Sequence, residues 1–215
     1  MKKLYRLFCI VAIAFVVSIC GAESLKEGRD YAVLKSHIPN AQNTVIEIYS
    51  YACPFCAKYA KITPDLIQSL PKGVAFKPYH LRQMGEYGTI ASQVLAVAIT
   101  LDNQAKISIH DKDSRFYKVK NAYFYEYHTK RTHWTNAESF LQTGLNASGI
   151  SKADYEKTLS TNATRELLEQ WELGYEAAKI NGIPAFVVNG KYLIYTKSIA
   201  SPQDLESKIK ELLKK

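Results

Sequence analysis

Cys53 and Cys56 stand two residues apart in Cys53-Pro54-Phe55-Cys56, where a strand-like run from Thr44 to Ser50 gives way to a predicted helix. Two thiols at that spacing can close a disulfide or hold a metal ion. A closed zinc site needs two further ligands. His37, His80, His110, His128 and His133 are scattered, and none has the paired spacing of a ligand set. The loop between such close cysteines is too short for their disulfide to add much stability. A redox pair is therefore a better reading than a metal site or a structural staple. No metal or other cofactor is expected.

The helix should begin at Pro54, since proline is favoured at the first helical position. Cys53 then occupies the N-cap and Cys56 lies one turn in. Unpaired N–H groups of the first turn and the positive end of the helix dipole surround the Cys53 sulfur. In such a setting a thiol falls from about 8.5 to between roughly 3.5 and 7.5. Cys53 is expected as the exposed nucleophile and leaving group, and Cys56 as the resolving thiol. A second element is Gly182-Ile183-Pro184-Ala185, a tight turn entering a strand, where the Ile183–Pro184 bond is expected to be cis.

The elements that must hold these residues follow from the pattern of the chain. Tyr31–Leu34 suggests a short edge strand. Val45–Tyr49 is nearly all apolar, as a strand covered on both faces should be. Pro64 should kink the helix after Cys53 and push Thr63 out of helical geometry. Val74–Tyr79 suggests a second strand, parallel to the first because a helix joins them. The middle of the chain is helical: an apolar run from Ile90 to Ile99, then Phe116, Val119, Tyr123 and Tyr127 at helical spacing. Further helices are expected after an Asn136 cap, over 151–159, and as one long helix from about Thr161 to Ile180. Ala185–Ile194, with Asn189-Gly190 at its centre, is a hairpin signal. A helix from Pro202 to Leu213 follows. With the helical block removed, the order is that of a thioredoxin-like α/β domain.

The first residues suggest a secretory leader. Lys2, Lys3 and Arg6 precede an apolar run from Leu7 to Ile19, and the small residues of Cys20-Gly21-Ala22 place the cut after Ala22. Cys9 and Cys20 would leave with it, so the mature chain keeps only Cys53 and Cys56. Export implies an oxidising compartment. The net charge of +8 falls to +5 without the leader. Residues 105–133 carry seven basic residues, Lys118 and Lys120 among them, against three acids. They suggest either a solvated face or a surface that steers acidic partners and stabilises the thiolate. The second reading predicts a Cys53 pKa below about 5 that responds to salt. Nothing in the chain suggests a nucleic-acid recognition motif.

These pieces together resemble the DsbA family of thiol–disulfide oxidoreductases. The matching stretches are Tyr49-Ser-Tyr-Ala-Cys-Pro-Phe-Cys56, Tyr79-His-Leu81, Gly182-Ile-Pro-Ala185 and Val188-Asn-Gly-Lys-Tyr192. Cys-Pro-Phe-Cys, Ala52 and Leu193-Ile-Tyr-Thr-Lys-Ser-Ile199 are most similar to the DsbL subgroup. The resemblance implies a thioredoxin fold with an inserted all-helical domain. The leader is placed at 1–22, the thioredoxin-like domain at 23–82 and 171–215, and the insert at 83–170.

It also implies a soluble periplasmic oxidase that gives its Cys53–Cys56 disulfide to exported proteins with free thiols. A sulfotransferase of the arylsulfate type is implied as a substrate, and a quinone-linked inner-membrane protein of the DsbB or DsbI type as the partner that reoxidises it. An isomerase or reductase on the same fold is the alternative. Isomerases of this kind resemble dimers built on a separate N-terminal module, for which there is too little chain here, so a monomer is expected.

By resemblance, Ile183 and Pro184 bind substrate backbone and Glu47 is a buried acid that aids proton transfer. Two positions depart from the family. Phe55 stands where a histidine usually helps to hold the thiolate. Pro78 stands where a lysine usually faces the buried acid, and strand alternation turns Lys77 to the other face. Glu47 is therefore expected to lack an ionic partner.

Overall fold

Residues 24–215 are described by the computed structural model. The expected leader at 1–22, with Cys9 and Cys20, lies outside them. Five strands form one sheet: β1 (Tyr31–Val33), β2 (Thr44–Tyr49), β3 (Ala75–His80), β4 (Ala185–Val188) and β5 (Tyr192–Ile194). Their spatial order is β1-β5-β4-β2-β3, with β2 and β3 parallel and the other neighbours antiparallel. Every residue of β2 and β4 is buried, which explains their unbroken apolar runs.

The β4–β5 hairpin turns where its sequence says it should. Asn189 and Gly190 both have positive φ, the conformation of a two-residue turn that matches strand twist. Glycine is required at the second position, because a Cβ there would meet the Ile38 carbonyl oxygen at 2.3 Å. β3 lies at the far edge of the sheet. There His110 Nε2 donates to the Phe76 carbonyl at 3.1 Å, and Pro78, two residues on, has no N–H to present.

The helices cover both faces. α1 (Pro54–Tyr59) and α2 (Thr63–Ser69) join β2 to β3. The chain breaks at Ala60–Ile62, not at Thr63 as expected. Thr63 opens α2 and Pro64 lies in its first turn, where a missing N–H leaves no bond unmade. α9 (Pro202–Leu212) packs Leu205, Ile209 and Leu212 against Val45, Phe186 and Ile194. On the other face, Ile46, Ile48, Val187 and Leu193 share a core with α3 (Gly88–Gln104), α4 (Arg115–Phe124) and α5 (Ala137–Ser148). α6 (Lys152–Leu159), α7 (Asn162–Glu172) and α8 (Gly174–Asn181) complete that layer.

Two helical expectations are corrected. The single helix expected over 161–180 is two, divided at Leu173. Gly174 opens α8, and its Cα presses on Ile48, where a Cβ would lie 3.3 Å from that side chain. The chain thus bends at a weak helix former to bring α8 onto the sheet. The stripe Phe116, Val119, Tyr123 is buried as expected, but Tyr127 is 40% exposed. After Phe124 the helix widens into a π-helical turn, Tyr125–Lys130, which shifts Tyr127 off the stripe.

Candidate active site

The two cysteines meet at the start of α1. Cys53 is the N-cap, in extended conformation, and its sulfur accepts from the Cys56 N–H at 3.2 Å. Pro54 opens the helix, so no first-turn donor is wasted beside the sulfur. Cys53 and Cys56 are free thiols in this structure. Cys53 is not exposed as expected, since only 2% of its surface is accessible. Its Sγ faces the carbonyl oxygen of Ile183 at 3.5 Å, and the Ile183–Pro184 peptide bond is cis. The loop expected to flank the cysteines is therefore the one that covers Cys53. Phe55 stands out into solvent, 59% exposed, with Lys58 Nζ 5.4 Å from its ring centre.

The thiols are electrostatically unequal. A hydrogen bond from the Cys56 thiol is the main cause that lowers the Cys53 pKa from 9.0 to about 7. The Cys56 and Phe55 N–H groups add to this, and burial opposes it. Burial is the main cause that pushes Cys56 far the other way, followed by its hydrogen bond to Cys53 and the charge there. Hydrogen bonds rather than cations thus account for the Cys53 thiolate, and about 7 replaces the value below about 5 expected from a basic surface.

The approach to Cys53 is pinned from several sides. The Cys53 N–H donates to the Ser50 carbonyl at 3.1 Å, and Ser50 Oγ donates to the Met84 carbonyl at 3.2 Å. The Tyr51 N–H donates to His80 Nε2 at 3.1 Å, while His80 Nδ1 bonds Ser92 Oγ at 2.7 Å. His128 Nε2 donates to the Tyr51 carbonyl at 2.8 Å. His128 comes from the π-helical turn, and no local signal in the sequence ties it to Tyr51. The widened turn is the feature that aims it.

Glu47 is fully buried on β2, directly opposite Pro78 in register. The expectation that it lacks an ionic partner is wrong. Lys120 Nζ donates to Glu47 Oε2 at 2.8 Å, reaching from α4 with only 10% of its side chain exposed. Thr63 Oγ1 stands 3.5 Å from the other carboxylate oxygen. Lys120 also lies 4.3 Å from the centre of the Tyr49 ring. Sequence reasoning placed Lys120 on a surface. The available signal was its spacing, four residues after buried Phe116 and three before buried Tyr123, on the edge of the apolar stripe.

The description DSBA-like thioredoxin domain matches residues 44–210. The chain belongs to this family. DsbL of Escherichia coli O6:H1, a thiol:disulfide interchange protein, is 46% identical over 217 residues, spanning 99% of this chain and 96% of its own. DsbA of Dickeya dadantii is 29% identical over 197 residues, spanning 90% and 86%. The crystal structure of Salmonella enterica serovar Typhimurium DsbL has a TM-score of 0.83 at 47% identity, covering 90% of this chain and all of that one. This DsbA-like protein is a thiol:disulfide oxidoreductase with a thioredoxin fold. Among its described residues, no helix is long and apolar enough to cross a membrane, and no cluster of three or more His, Cys, Asp or Glu could hold a metal.

Proposed function

We propose that the protein is a periplasmic oxidase that donates its Cys53–Cys56 disulfide to exported proteins through a mixed disulfide. The observation that carries this is the geometry of the two free thiols: Cys53 caps α1, accepts the Cys56 N–H at 3.2 Å and faces the Ile183 carbonyl beside the cis Pro184, an arrangement that lowers Cys53 and raises Cys56. A substrate thiolate attacks Cys53 Sγ, the Cys53–Cys56 bond breaks, and Cys56 leaves with its electron pair and takes a proton. A second substrate thiolate then attacks the substrate sulfur of the mixed disulfide. Cys53 leaves as a thiolate, which its low pKa favours. The substrate loses two electrons and the protein gains them.

Pro54 sets the helix start behind Cys53, and Phe55 offers an apolar contact beside it. The Ile183 carbonyl, 3.5 Å from Cys53 Sγ, is a backbone group that an extended substrate chain could pair with. Glu47 is the proton carrier of Cys56, whose thiol feels its charge. The relatives named DsbL and DsbA support interchange with protein thiols. An inner-membrane partner of the DsbB or DsbI type, a sulfotransferase substrate and a monomeric state belong to this reading. So do cleavage of a leader at 1–22 and an insert at 83–170 between the two parts of the thioredoxin-like domain, 23–82 and 171–215.

Cys56→Ser should trap mixed disulfides through Cys53, and Cys53→Ser should trap none. Equilibration with glutathione should give a potential between those of thioredoxin and DsbA, about −270 and about −120 mV. A value at or below the thioredoxin one would make the protein a reductase instead.

A further inference from the structure

Glu47 is the one acid of β2, and its counterpart on β3 is a proline that offers neither a cation nor an N–H. A carboxylate buried without compensation is driven to its neutral form. The compensation comes instead from 73 residues away in sequence, through the 2.8 Å bond from Lys120. α4 itself is anchored for this. Asp102, fully buried at the end of α3, accepts from the N–H groups of Arg115 at 3.1 Å and Phe116 at 2.9 Å, in the first turn of α4. Lys120 follows one turn later.

We infer that Lys120 is a positioning residue that holds Glu47 as the carboxylate able to accept the Cys56 proton. The proton site is then completed by the inserted helices rather than by strand β3. The inference rests on the reading of Glu47 given above and adds the residue that makes it a base. In the resolving step the Cys56 S–H bond breaks and the proton passes to Glu47. The freed electron pair attacks the Cys53 sulfur of a mixed disulfide. The bond from Cys53 to the partner sulfur breaks, and the partner departs as a thiolate.

Other titratable groups surround the pair, and two of them, His80 and His110, feel Lys120 directly. Tyr49 on β2 feels both Glu47 and Cys56 and is pushed well above its ordinary range, chiefly by burial. His80 on β3 is lowered to about 3 by burial and by Lys120. His110, before α4, is lowered chiefly by burial. Cys53 titrates at about 7 and is read separately.

The test uses the mixed disulfide of Cys53 with glutathione, held in acid and jumped to buffers from about pH 5 to about 9, with glutathione release followed in time. In Lys120→Met and Lys120→Gln the pH midpoint of release should rise by about one unit, making release about tenfold slower at pH 7. Lys120→Arg should behave as the parent protein, and the alkylation midpoint of Cys53 should stay at about 7 in all of them. Glu47→Gln separates the two ideas. If it alters release while both neutral Lys120 variants match the parent, the Lys120 inference fails and the Glu47 reading stands. If Glu47→Gln also matches the parent, both fail. An equal shift of the Cys53 midpoint would likewise overturn the inference, because it would show a general disturbance.

Discussion

The Tyr51 amide donates to a ring nitrogen of His80 that must be unprotonated to accept it, and the two rings stack at 6.1 Å with 15° between their planes. His80 is thus a fixed neutral acceptor for the amide of Tyr51, which lies two residues upstream of the N-cap cysteine. Its pKa is lowered to about 3, by burial first and by Lys120 second.

Acid should therefore loosen the active-site approach. Between its ordinary value of 6.5 and about 3, the unfolded chain holds a His80 proton that the native protein does not. Native stability attributable to His80 is complete above pH 6.5 and falls by about 1.4 kcal/mol per unit as pH drops. Denaturant titrations at pH 6 and pH 4.5 should show His80→Leu losing about 2 kcal/mol less than the parent over that interval. Equal losses would show that His80 accepts a proton without cost.

The source of the Cys53 thiolate can be separated by two substitutions at one position. The Cys56 thiol is its leading donor. Cys56→Ala should raise the Cys53 midpoint from about 7 toward 9.0, whereas Cys56→Ser keeps a donor and should hold it near 7. Thiolate absorbance against pH measures both. Adding salt should leave the parent midpoint nearly unmoved, since Lys120, Lys130 and Arg115 of the basic segment are already paired with Glu47, Glu126 and Asp102. A large salt response would return the basic segment to a role at the cysteine.

Asp102→Ala should be among the more damaging changes far from the cysteines. It removes the acceptor of two first-turn N–H groups of α4 and of the Arg115 guanidinium at 3.1 Å. With Arg115 partly solvated, a loss of about 3 kcal/mol in equilibrium unfolding is expected. A loss under about 1 kcal/mol would mean that water replaces the carboxylate.

Much of this site was legible because its signals are local. Cys53, Pro54 and Cys56 define their own helix start. Asn189-Gly190 defines a hairpin, and Ile183-Pro184 marks the turn that faces Cys53. What stayed hidden depends on contacts distant in sequence. Lys120 reaches Glu47 across the sheet, and no pattern near Glu47 announces it. His128 reaches Tyr51 only because the helix widens after Phe124, which the helical spacing of Phe116, Val119, Tyr123 and Tyr127 conceals. The division at Leu173 follows from where Gly174 must fit against Ile48, a packing demand invisible in either segment alone.

The edge of β3 has a consequence for the company this protein keeps. An oxidoreductase that acts on protein thiols meets chains that have not finished folding, and these carry bare strand segments searching for a ladder to join. With the Phe76 carbonyl already held by His110, no amide at Pro78, and both residues buried, the β3 edge gives such a segment little to zip onto. The sheet edge is thereby closed to visiting strands, which keeps the catalyst from becoming a seed for their aggregation.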